Sequence, residues 1–419
     1  MSKPLPNLSG ARINAARLAD SIAEMARIGA GKAGGCNRQA LTDADRDGRD
    51  LFVRWAKDAG CTIAVDEVGN IFARKAGRDE GLAPVMAGSH LDTQATGGKF
   101  DGVYGVLSAL EAVRVIHERE IEHGRPIEIV VWTNEEGCRF APAMLGSGVV
   151  SGIYDVPFAY AVRDKDGKSF GDELERIGYR GTVPAARRPI AAAFEAHIEQ
   201  GPILEKEDRT IGVVTGIQGA YWFDVSLDGQ SCHAGPTPMT MRRDPWRAAT
   251  AIIAGALDIA DRNGPWGRAT IGDMRADPGA RNTVPQNLTF PVDIRHPDAA
   301  TLETMVAELR ELIASACATA DIEYRIDKVW HMPATAFDER LVDLVEATAE
   351  GLGLSHMRIV SGAGHDSLHL AQFAPTTMIF VPCLDGLSHN EAEYAEPTDL
   401  ASGADVLLHA ILNAAAGAD

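Results

Sequence analysis

The sequence predicts an α/β protein whose main domain contains a mostly parallel sheet, with a smaller α+β domain inserted into it. Short apolar runs alternate with amphipathic stretches over most of the 419 residues, which is typical of a parallel sheet covered by helices. In the middle of the chain the order changes to strand, helix, two strands, helix and strand, which is typical of a ferredoxin-like domain. A chain of this length also favours two domains over one core. We therefore predict a main domain of residues 1–213 and 331–419, interrupted by an inserted domain of residues 214–330.

Apolar periodicity and turn residues predict each element before residue 213. Apolar residues at helical spacing predict helices at residues 8–28, 43–59 and 105–120. Thr42 is the expected cap of the second helix. Alternating or continuous apolar residues predict strands at residues 62–65, 70–74, 84–87, 127–131 and 191–201.

The same signals predict the elements of the inserted domain and of the C-terminal part. The expected strands of the inserted domain are residues 222–227, 269–275, 288–295 and 322–329. Its expected helices are residues 244–262 and 300–318. After it we expect a helix at 337–351, a polar loop at 361–366, a buried strand at 377–381 and a helix at 399–415.

Composition excludes several classes of protein. The net charge of −19 disfavours binding to phosphate backbones, so no nucleic-acid partner is expected. No apolar stretch reaches the roughly 18 to 20 residues that span a bilayer, and the N-terminus lacks the apolar core of a secretory signal. The six cysteines are scattered without close pairs, which favours reduced thiols and a cytoplasmic location.

Polar side chains follow several of the apolar runs, where a solvated face is not expected. His90 comes soon after the strand at 84–87, and Glu136 follows the strand at 127–131. Carboxyl ends of parallel strands meet at one edge of an open sheet, where ligands bind. The candidate metal ligands are His90, Asp101, Glu136, His197 and His389.

These five side chains have the chemistry of a dinuclear metal site. Five ligands with one bridging carboxylate would hold two adjacent divalent cations. Imidazole with carboxylate suits Zn, Mn, Co or Fe and disfavours Mg and Ca, which prefer oxygen alone. Asp101 lies in a loop flanked by glycine that could swing its carboxylate between two metals. The alternative is that these are ordinary polar residues, because histidines, Asp-Gly turns and paired glutamates are common without a metal.

Two further carboxylates lie beside the candidate ligands. Asp92, two residues after His90, is predicted to accept the imidazole N–H. Glu135 precedes Glu136, and a sharp turn would let it face a bound water as general base and then acid. The alternative for Glu135 is a charge at a helix N-terminus without a catalytic role.

The inserted domain contributes three candidate residues. His233 lies between a strand and a helix, where its imidazole could stabilise an oxyanion. Asn282 offers an amide and Arg295 a guanidinium, which favours bidentate binding of a carboxylate. Each of these residues, taken singly, is also typical of a turn or a surface.

Together these stretches resemble the dinuclear metallopeptidase clan of aminoacylases and carboxypeptidases. More closely, they resemble its amidase, hydantoinase/carbamoylase branch, which contains N-carbamoyl-L-amino-acid hydrolases, β-ureidopropionases and allantoate amidohydrolases. The matching segments are residues 88–93, 97–102, 134–137 with 139–140, 197–201, 233–238, 282–285, 293–295, 361–366 and 388–391.

The resemblance implies a role for each residue. It makes the five candidates the ligands of two divalent ions (Zn, Mn or Co), with Asp101 bridging and Glu135 as the base. It implies that His233 is an oxyanion donor that reaches across a homodimer, and that the inserted domain is the lid and dimerisation module. It also implies substrate contacts by Gln200, Asn282, Arg295 and Gly364, with Arg295 holding a carboxylate.

The implied reaction is hydrolysis of the carbamoyl C–N bond of an N-carbamoyl amino acid to the amino acid, ammonia and carbon dioxide. Three positions depart from the family pattern, namely Cys138, Ser231-Cys232 and Ala220, and the last weakly favours a carboxylate-bearing ureido compound over allantoate. The alternatives are an allantoate amidohydrolase, an aminoacylase or peptidase of the same clan, a catalytically inactive scaffold and a structural oligomerisation protein.

Overall fold

The computed structural model describes residues 10–416, which form two compact units. The first unit comprises the chain up to Thr215 and from Ala336 onward, and the second comprises Gly216–Thr335. In the described residues no helix is long and apolar enough to cross a membrane.

The strands are numbered in chain order. They are β1 (Thr62–Val65), β2 (Ile71–Lys75), β3 (Val85–His90), β4 (Ile127–Trp132), β5 (Ala192–Ile198), β6 (Ile211–Ile217), β7 (Gly219–Asp228), β8 (Cys232–His233), β9 (Arg268–Thr270), β10 (Arg275–Asp277), β11 (Thr283–Val284), β12 (Asn287–His296), β13 (Glu323–Met332), β14 (Thr335–Ala336), β15 (His356–Ser361) and β16 (Thr376–Val381).

The helices are numbered in the same way. They are α1 (Ala15–Met25), α2 (Asp43–Asp58), α3 (Val103–Glu118), α4 (Leu145–Val150), α5 (Val156–Ala161), α6 (Phe170–Arg176), α7 (Ile203–Lys206), α8 (Pro245–Arg262), α9 (Ala299–Ala320), α10 (Glu339–Gly351), α11 (Ser367–Leu370) and α12 (Pro397–Ala415).

The larger sheet has a parallel centre and antiparallel margins. Its nine strands run in the order β1-β2-β4-β3-β5-β16-β6-β14, with β15 paired to β6. Strands β4, β3, β5 and β16 are parallel neighbours, whereas β2 and β6 pair antiparallel to the ends of this group. The four parallel strands therefore end at the same edge, and the predicted α/β class with a large, mostly parallel sheet is confirmed.

Helix α3 is the central helix against this sheet. It packs on β3 and β5 and on α12, and most of its residues are buried around its whole circumference. A helix that is apolar all round is one that is enclosed on all sides. Gly102 precedes it directly, so the helix fixes the position of the loop that carries Asp101.

The second unit has its own sheet and core. Its five-stranded sheet runs β10-β12-β7-β13, with β9 also paired to β12, and β8 and β11 form a separate two-stranded ribbon. Helices α8 and α9 pack on each other and on this sheet. Residues such as Phe223, Ile252, Phe290 and Ile313 form the buried core between them.

Some element predictions need correction. The first helix begins at Ala15 rather than residue 8, because Asn14 caps it by accepting the N–H of Arg17 at 3.1 Å; residues 8 and 9 of that prediction lie outside the described chain. The predicted strand at 269–275 is two short strands, β9 and β10, and the strand predicted to reach residue 201 ends at Ile198. Strand β15 was not predicted, because its side chains are mostly half-buried and polar residues interrupt its apolar run.

Candidate metal centre and active site

The candidate ligands lie at the carboxyl edge of the parallel strands. His90 is the last residue of β3, and His197 is the next-to-last residue of β5. Glu136 lies in the turn after β4, and His389 lies in the loop after β16. Asp101 reaches the same place from the loop before α3. Parallel pairing thus brings together residues that are far apart in the sequence.

Asp101 lies at the centre of the cluster. Its Oδ1 is 3.6 Å from Nε2 of His90 and 3.2 Å from Nε2 of His197. Its Oδ2 is 3.4 Å from Nε2 of His389, which is also 3.4 Å from Oε2 of Glu136. The ligand atoms of His90, Asp101 and His197 lie within 4.8 Å of one another, and so do those of Asp101, Glu136 and His389. The two groups share only Asp101, whose Oδ1 faces the first group and whose Oδ2 faces the second.

The two buried imidazoles are oriented for binding a cation. Nδ1 of His90 lies 2.9 Å from the backbone oxygen of Asp92, and Nδ1 of His197 lies 2.9 Å from the backbone oxygen of Ile198. A carbonyl oxygen only accepts hydrogen bonds, so each Nδ1 carries a hydrogen, and each Nε2 faces the cluster, where the neutral imidazole would present its lone pair to a cation. The residues therefore fit a divalent transition metal, since neutral imidazole and carboxylate are its preferred ligands.

Contrary to the prediction, the Asp92 carboxylate does not accept the imidazole N–H of His90. Its Oδ1 is 3.9 Å from Nδ1 of His90, too far for a hydrogen bond, and the backbone oxygen of Asp92 takes that role. The carboxylate instead accepts the backbone N–H groups of Glu135 at 3.3 Å and Glu136 at 3.2 Å. These N–H groups lie in a buried turn without a strand partner, so they need an acceptor. Asp92 thus joins the segment after β3 to the turn after β4.

The turn after β4 separates the two glutamates. Asn134 adopts a left-handed conformation with φ 58°, and its side-chain amide donates to the backbone oxygen of Phe140 at 2.8 Å. Glu135 then faces His90, with Oε2 3.5 Å from Nε2. Glu136 faces His389 and also accepts two hydrogen bonds from Gln94, at 3.1 and 2.6 Å.

Burial and charge shift the pKa values of these carboxylates in opposite directions. Burial raises the pKa of Glu135 well above its ordinary value, with His90 opposing the shift and Asp366 adding to it. Burial and the negative charge of Asp101 raise the pKa of Glu136 to about 7. Asp101 is also buried, but hydrogen bonds to the surrounding imidazoles hold its pKa well below the ordinary value. Neighbouring groups with divergent pKa values suit different chemical roles.

Two of the predicted substrate contacts lie in the first unit. Gln200, with φ 57°, donates from Nε2 to Oδ2 of Asp101 at 2.9 Å and to Oγ of Ser388 at 3.1 Å. Its Oε1 is buried without a hydrogen-bond partner. Gly364 lies half-buried in the loop after β15.

The other three predicted residues lie in the second unit. His233 on β8 pairs with Thr283 on β11, and its exposed ring accepts the N–H of Gly235 at 3.0 Å. The backbone oxygen of Asn282 accepts the N–H of Ala234 at 2.9 Å, so His233 and Asn282 belong to one ribbon. Arg295 on β12 forms a salt bridge with Asp293, with Nη2 2.6 Å from Oδ2.

Sequence reasoning assigned no individual role to several polar residues at the cluster. Glu393 accepts the backbone N–H of Asp101, Ser388 contacts Asp101, and Gln94 holds Glu136. Buried Asp366 follows buried His365, whose ring lies 4.5 Å from that of His197. The polar loop at 361–366 was a signal for the last two, whereas Glu393 stands among several acidic residues and nothing distinguishes it there.

The fold and the cluster around Asp101 define a known class. The family model described as Peptidase family M20/M25/M40 matches residues 86–413, and the chain belongs to this family. The amidohydrolases of this family are metal-dependent, and the clustered His, Asp and Glu side chains could bind metal.

Three similar proteins indicate the branch of the family. An N-carbamoyl-L-amino-acid amidohydrolase from Rhizobium meliloti is 50% identical over 404 residues, covering 96% of this chain and 97% of the relative. The crystal structure of an amidase of the hydantoinase/carbamoylase family from Burkholderia multivorans has a TM-score of 0.95 at 51% identity, covering 97% of this chain and 99% of that one. An allantoate amidohydrolase from Bacillus subtilis is 34% identical, covering 93% and 95%. Within its family the chain is thus one of the hydantoinase/carbamoylase amidases, and it is a hydrolase acting on C–N bonds.

Proposed function

We propose that this protein hydrolyses the carbamoyl C–N bond of N-carbamoyl amino acids, releasing the amino acid, ammonia and carbon dioxide. The observation that carries the proposal is the pair of ligand groups sharing Asp101, with Glu135 3.5 Å from a ligand imidazole. The 50% identity to an N-carbamoyl-L-amino-acid amidohydrolase supports the choice of substrate class.

We assign the metal ligands as the sequence predicts. His90, Asp101 and His197 would hold one divalent ion, and Asp101, Glu136 and His389 would hold the other. When bound, such ions would supply Lewis acidity and would lower the pKa of a water that they coordinate. Zn, Mn and Co all accept this ligand set, so the native metal depends on availability.

Glu135 is the proton carrier in this proposal. Its carboxylate is buried and has Oε2 3.5 Å from Nε2 of His90, which places a proton acceptor and donor beside the assigned ligands. It takes a proton from the attacking water and delivers it to the leaving nitrogen. The unpartnered Oε1 of Gln200 is an acceptor available to a substrate N–H, and Gly364 offers a backbone donor in the neighbouring loop.

The second unit supplies the remaining roles. We propose that residues 214–330 act as the lid and dimerisation domain and that His233 stabilises the oxyanion. Asn282 and Arg295 contact the substrate, and Arg295 binds its carboxylate. Because Arg295 already forms a salt bridge with Asp293, a substrate carboxylate would share or replace that partner. The homodimer and the cytoplasmic location stay predictions.

Ammonia release tests the proposal directly. The protein is stripped of metal and reloaded with Zn, Mn or Co. Ammonia is measured with N-carbamoyl-L-amino acids, N-carbamoyl-β-alanine and allantoate, and the free amino acid is measured with N-acetyl amino acids, whose hydrolysis releases acetate and no ammonia. We expect turnover of carbamoyl compounds only after reloading. Preferential turnover of allantoate would favour the second candidate, which the 34% identity to an allantoate amidohydrolase supports. Turnover of the N-acetyl compounds alone would favour an aminoacylase.

Glu135→Gln separates an enzyme from an inactive scaffold. The variant keeps the size of the side chain but cannot carry a proton, so we expect kcat to fall about 10²–10⁴-fold. Metal content measured by mass spectrometry should stay at the wild-type value, because Glu135 is outside both ligand groups. Equal activity of variant and wild type would remove Glu135 from the reaction.

A further inference from the structure

We propose that Glu393 is a positioning residue that fixes Asp101 and the His389 loop relative to each other. The proposal rests on the proposed function only in taking Asp101 as the ligand shared by two ions. The carboxylate of Glu393 is 3% exposed and lies where the loop before α3 meets the loop after β16.

Both oxygens of Glu393 are used in this contact. Oε1 accepts the backbone N–H of Phe100 at 2.9 Å and that of Asp101 at 3.1 Å. Oε2 accepts the hydroxyl of Ser388 at 3.0 Å, and the same hydroxyl lies 3.2 Å from Oδ2 of Asp101. One carboxylate therefore holds the backbone of Asp101 and, through Ser388, contacts its side chain.

In the loop before α3, the backbone at Gly98 leaves room for the Glu393 side chain. A Cβ atom on Gly98 would lie 2.0 Å from Oε1 and 2.1 Å from Cδ of Glu393, so only glycine fits there. With the carboxylate removed, two buried backbone N–H groups would lose their acceptor. The loop would then rearrange to regain hydrogen bonds, and Asp101 would move with it.

Glu393 acts on the ions through Asp101 rather than as a ligand. Among the described residues, the groups that could hold a metal ion do not include it. Its two oxygens already accept three hydrogen bonds from the protein. Partners of metal ligands typically contribute about 10–100-fold in metal affinity, which sets the size of the expected effect.

Glu391 is a matched control in the same loop. Its Oε1 accepts the backbone N–H of Ala33 at 3.1 Å, and it shares the charge and length of Glu393. No hydrogen bond is recorded between Glu391 and Asp101 in the part of the chain that the structure describes. Glu391→Ala removes a carboxylate two residues away without touching the proposed contact.

The experiment measures metal binding before any activity. Wild type, Glu393→Ala, Glu393→Gln, Gly98→Ala and Glu391→Ala are stripped and titrated with Co²⁺, following its visible spectrum and its Kd. We expect Glu393→Ala and Gly98→Ala to weaken the binding of at least one ion about 10–100-fold and to change the Co²⁺ spectrum. Glu393→Gln should stay close to wild type, because its amide oxygen can accept both N–H groups and its NH₂ can donate to Ser388. Glu391→Ala should be unchanged.

The outcomes separate this proposal from the proposed function. A wild-type Co²⁺ spectrum and Kd in folded Glu393→Ala would overturn the positioning role, whatever the activity. If Glu393→Ala does not fold, Glu393→Gln provides the test. Because this variant keeps the hydrogen bonds, a Co²⁺ spectrum that differs from wild type would overturn the positioning role. A wild-type protein that binds Co²⁺ but hydrolyses no carbamoyl compound would refute the proposed function and leave the role of Glu393 intact.

Discussion

At the scale of single residues, the site depends on close approaches that few side chains allow. Gly102 has φ 66°, a conformation that L residues rarely adopt. A Cβ atom there would lie 2.3 Å from both Cε1 and Nε2 of His90. Glycine is therefore needed at position 102 for two reasons, namely the positive φ of the backbone and the close approach of the His90 imidazole.

We expect the Gly102→Ala variant to fold but to bind metal more weakly than the wild type. The added methyl would displace the Nε2 atom that we assign to the metal, so we expect about 10–100-fold weaker binding of at least one ion, measured by competition with a chelating dye. Gly178→Ala is the matched control, because Gly178 has φ 77° and nothing within 4 Å of its Cβ position. The control should lose only about 1 kcal/mol of unfolding free energy and bind metal normally. Equal metal binding by both variants would contradict the steric argument.

At the scale of elements, α2 supports the turn that carries the two glutamates. Arg49 on α2 is fully buried and pairs with Asp45, with Nε 2.9 Å from Oδ2. Its Nη1 donates to the backbone oxygen of Gly69 at 2.7 Å, and its Nη2 donates to Oγ1 of Thr133 at 3.3 Å. Thr133 directly precedes the turn of Asn134, so this guanidinium connects α2 to the turn that carries Glu135 and Glu136.

Arg49→Met should therefore destabilise the first unit strongly. It leaves the buried carboxylate of Asp45 without its partner, which costs about 3–5 kcal/mol of unfolding free energy. Urea denaturation of the metal-loaded protein measures the change. Arg46→Met is the control, because Arg46 pairs with Asp47 at the exposed surface and should cost about 0–1 kcal/mol. Similar losses in both variants would argue against an uncompensated buried charge.

The elements also show which features of the structure were predictable from the sequence. Strands such as β4 and β16 were predictable because all six residues of each are buried and most of them are apolar. The convergence of ligands followed from the rule that parallel strands end at one edge. The acceptor of the His90 N–H did not follow, because the turn at Asn134 directs the Asp92 carboxylate elsewhere. The role of Glu393 was not predictable from the sequence, since the residues whose backbone N–H groups it accepts lie 292 and 293 positions away in the chain.

At the scale of the whole molecule, the candidate ligands all belong to one of the two compact units. Each unit has its own sheet, and the second has its own buried core. Ions that bind the folded form alone would stabilise it by mass action, about 2.7 kcal/mol when the free ion is 100 times its Kd.

Metal addition should thus raise the thermal midpoint of the protein and a chelator should lower it. Scanning calorimetry with and without Zn measures both effects. Asp101→Ala removes the oxygen atoms shared by the two ligand groups, so its midpoint should respond far less to either addition. An equal response of variant and wild type would show that the ions bind elsewhere.

The candidate ligand histidines differ in solvent exposure, and this difference affects how fast each bound cation would exchange. The side chains of His90 and His197 are 1% exposed, whereas that of His389 is 54% exposed. A cation coordinated by His389 would keep one side open to solvent and so exchange sooner than its neighbour. Brief chelation followed by a different cation should then yield a mixed-metal enzyme, replaced first at the position nearer His389.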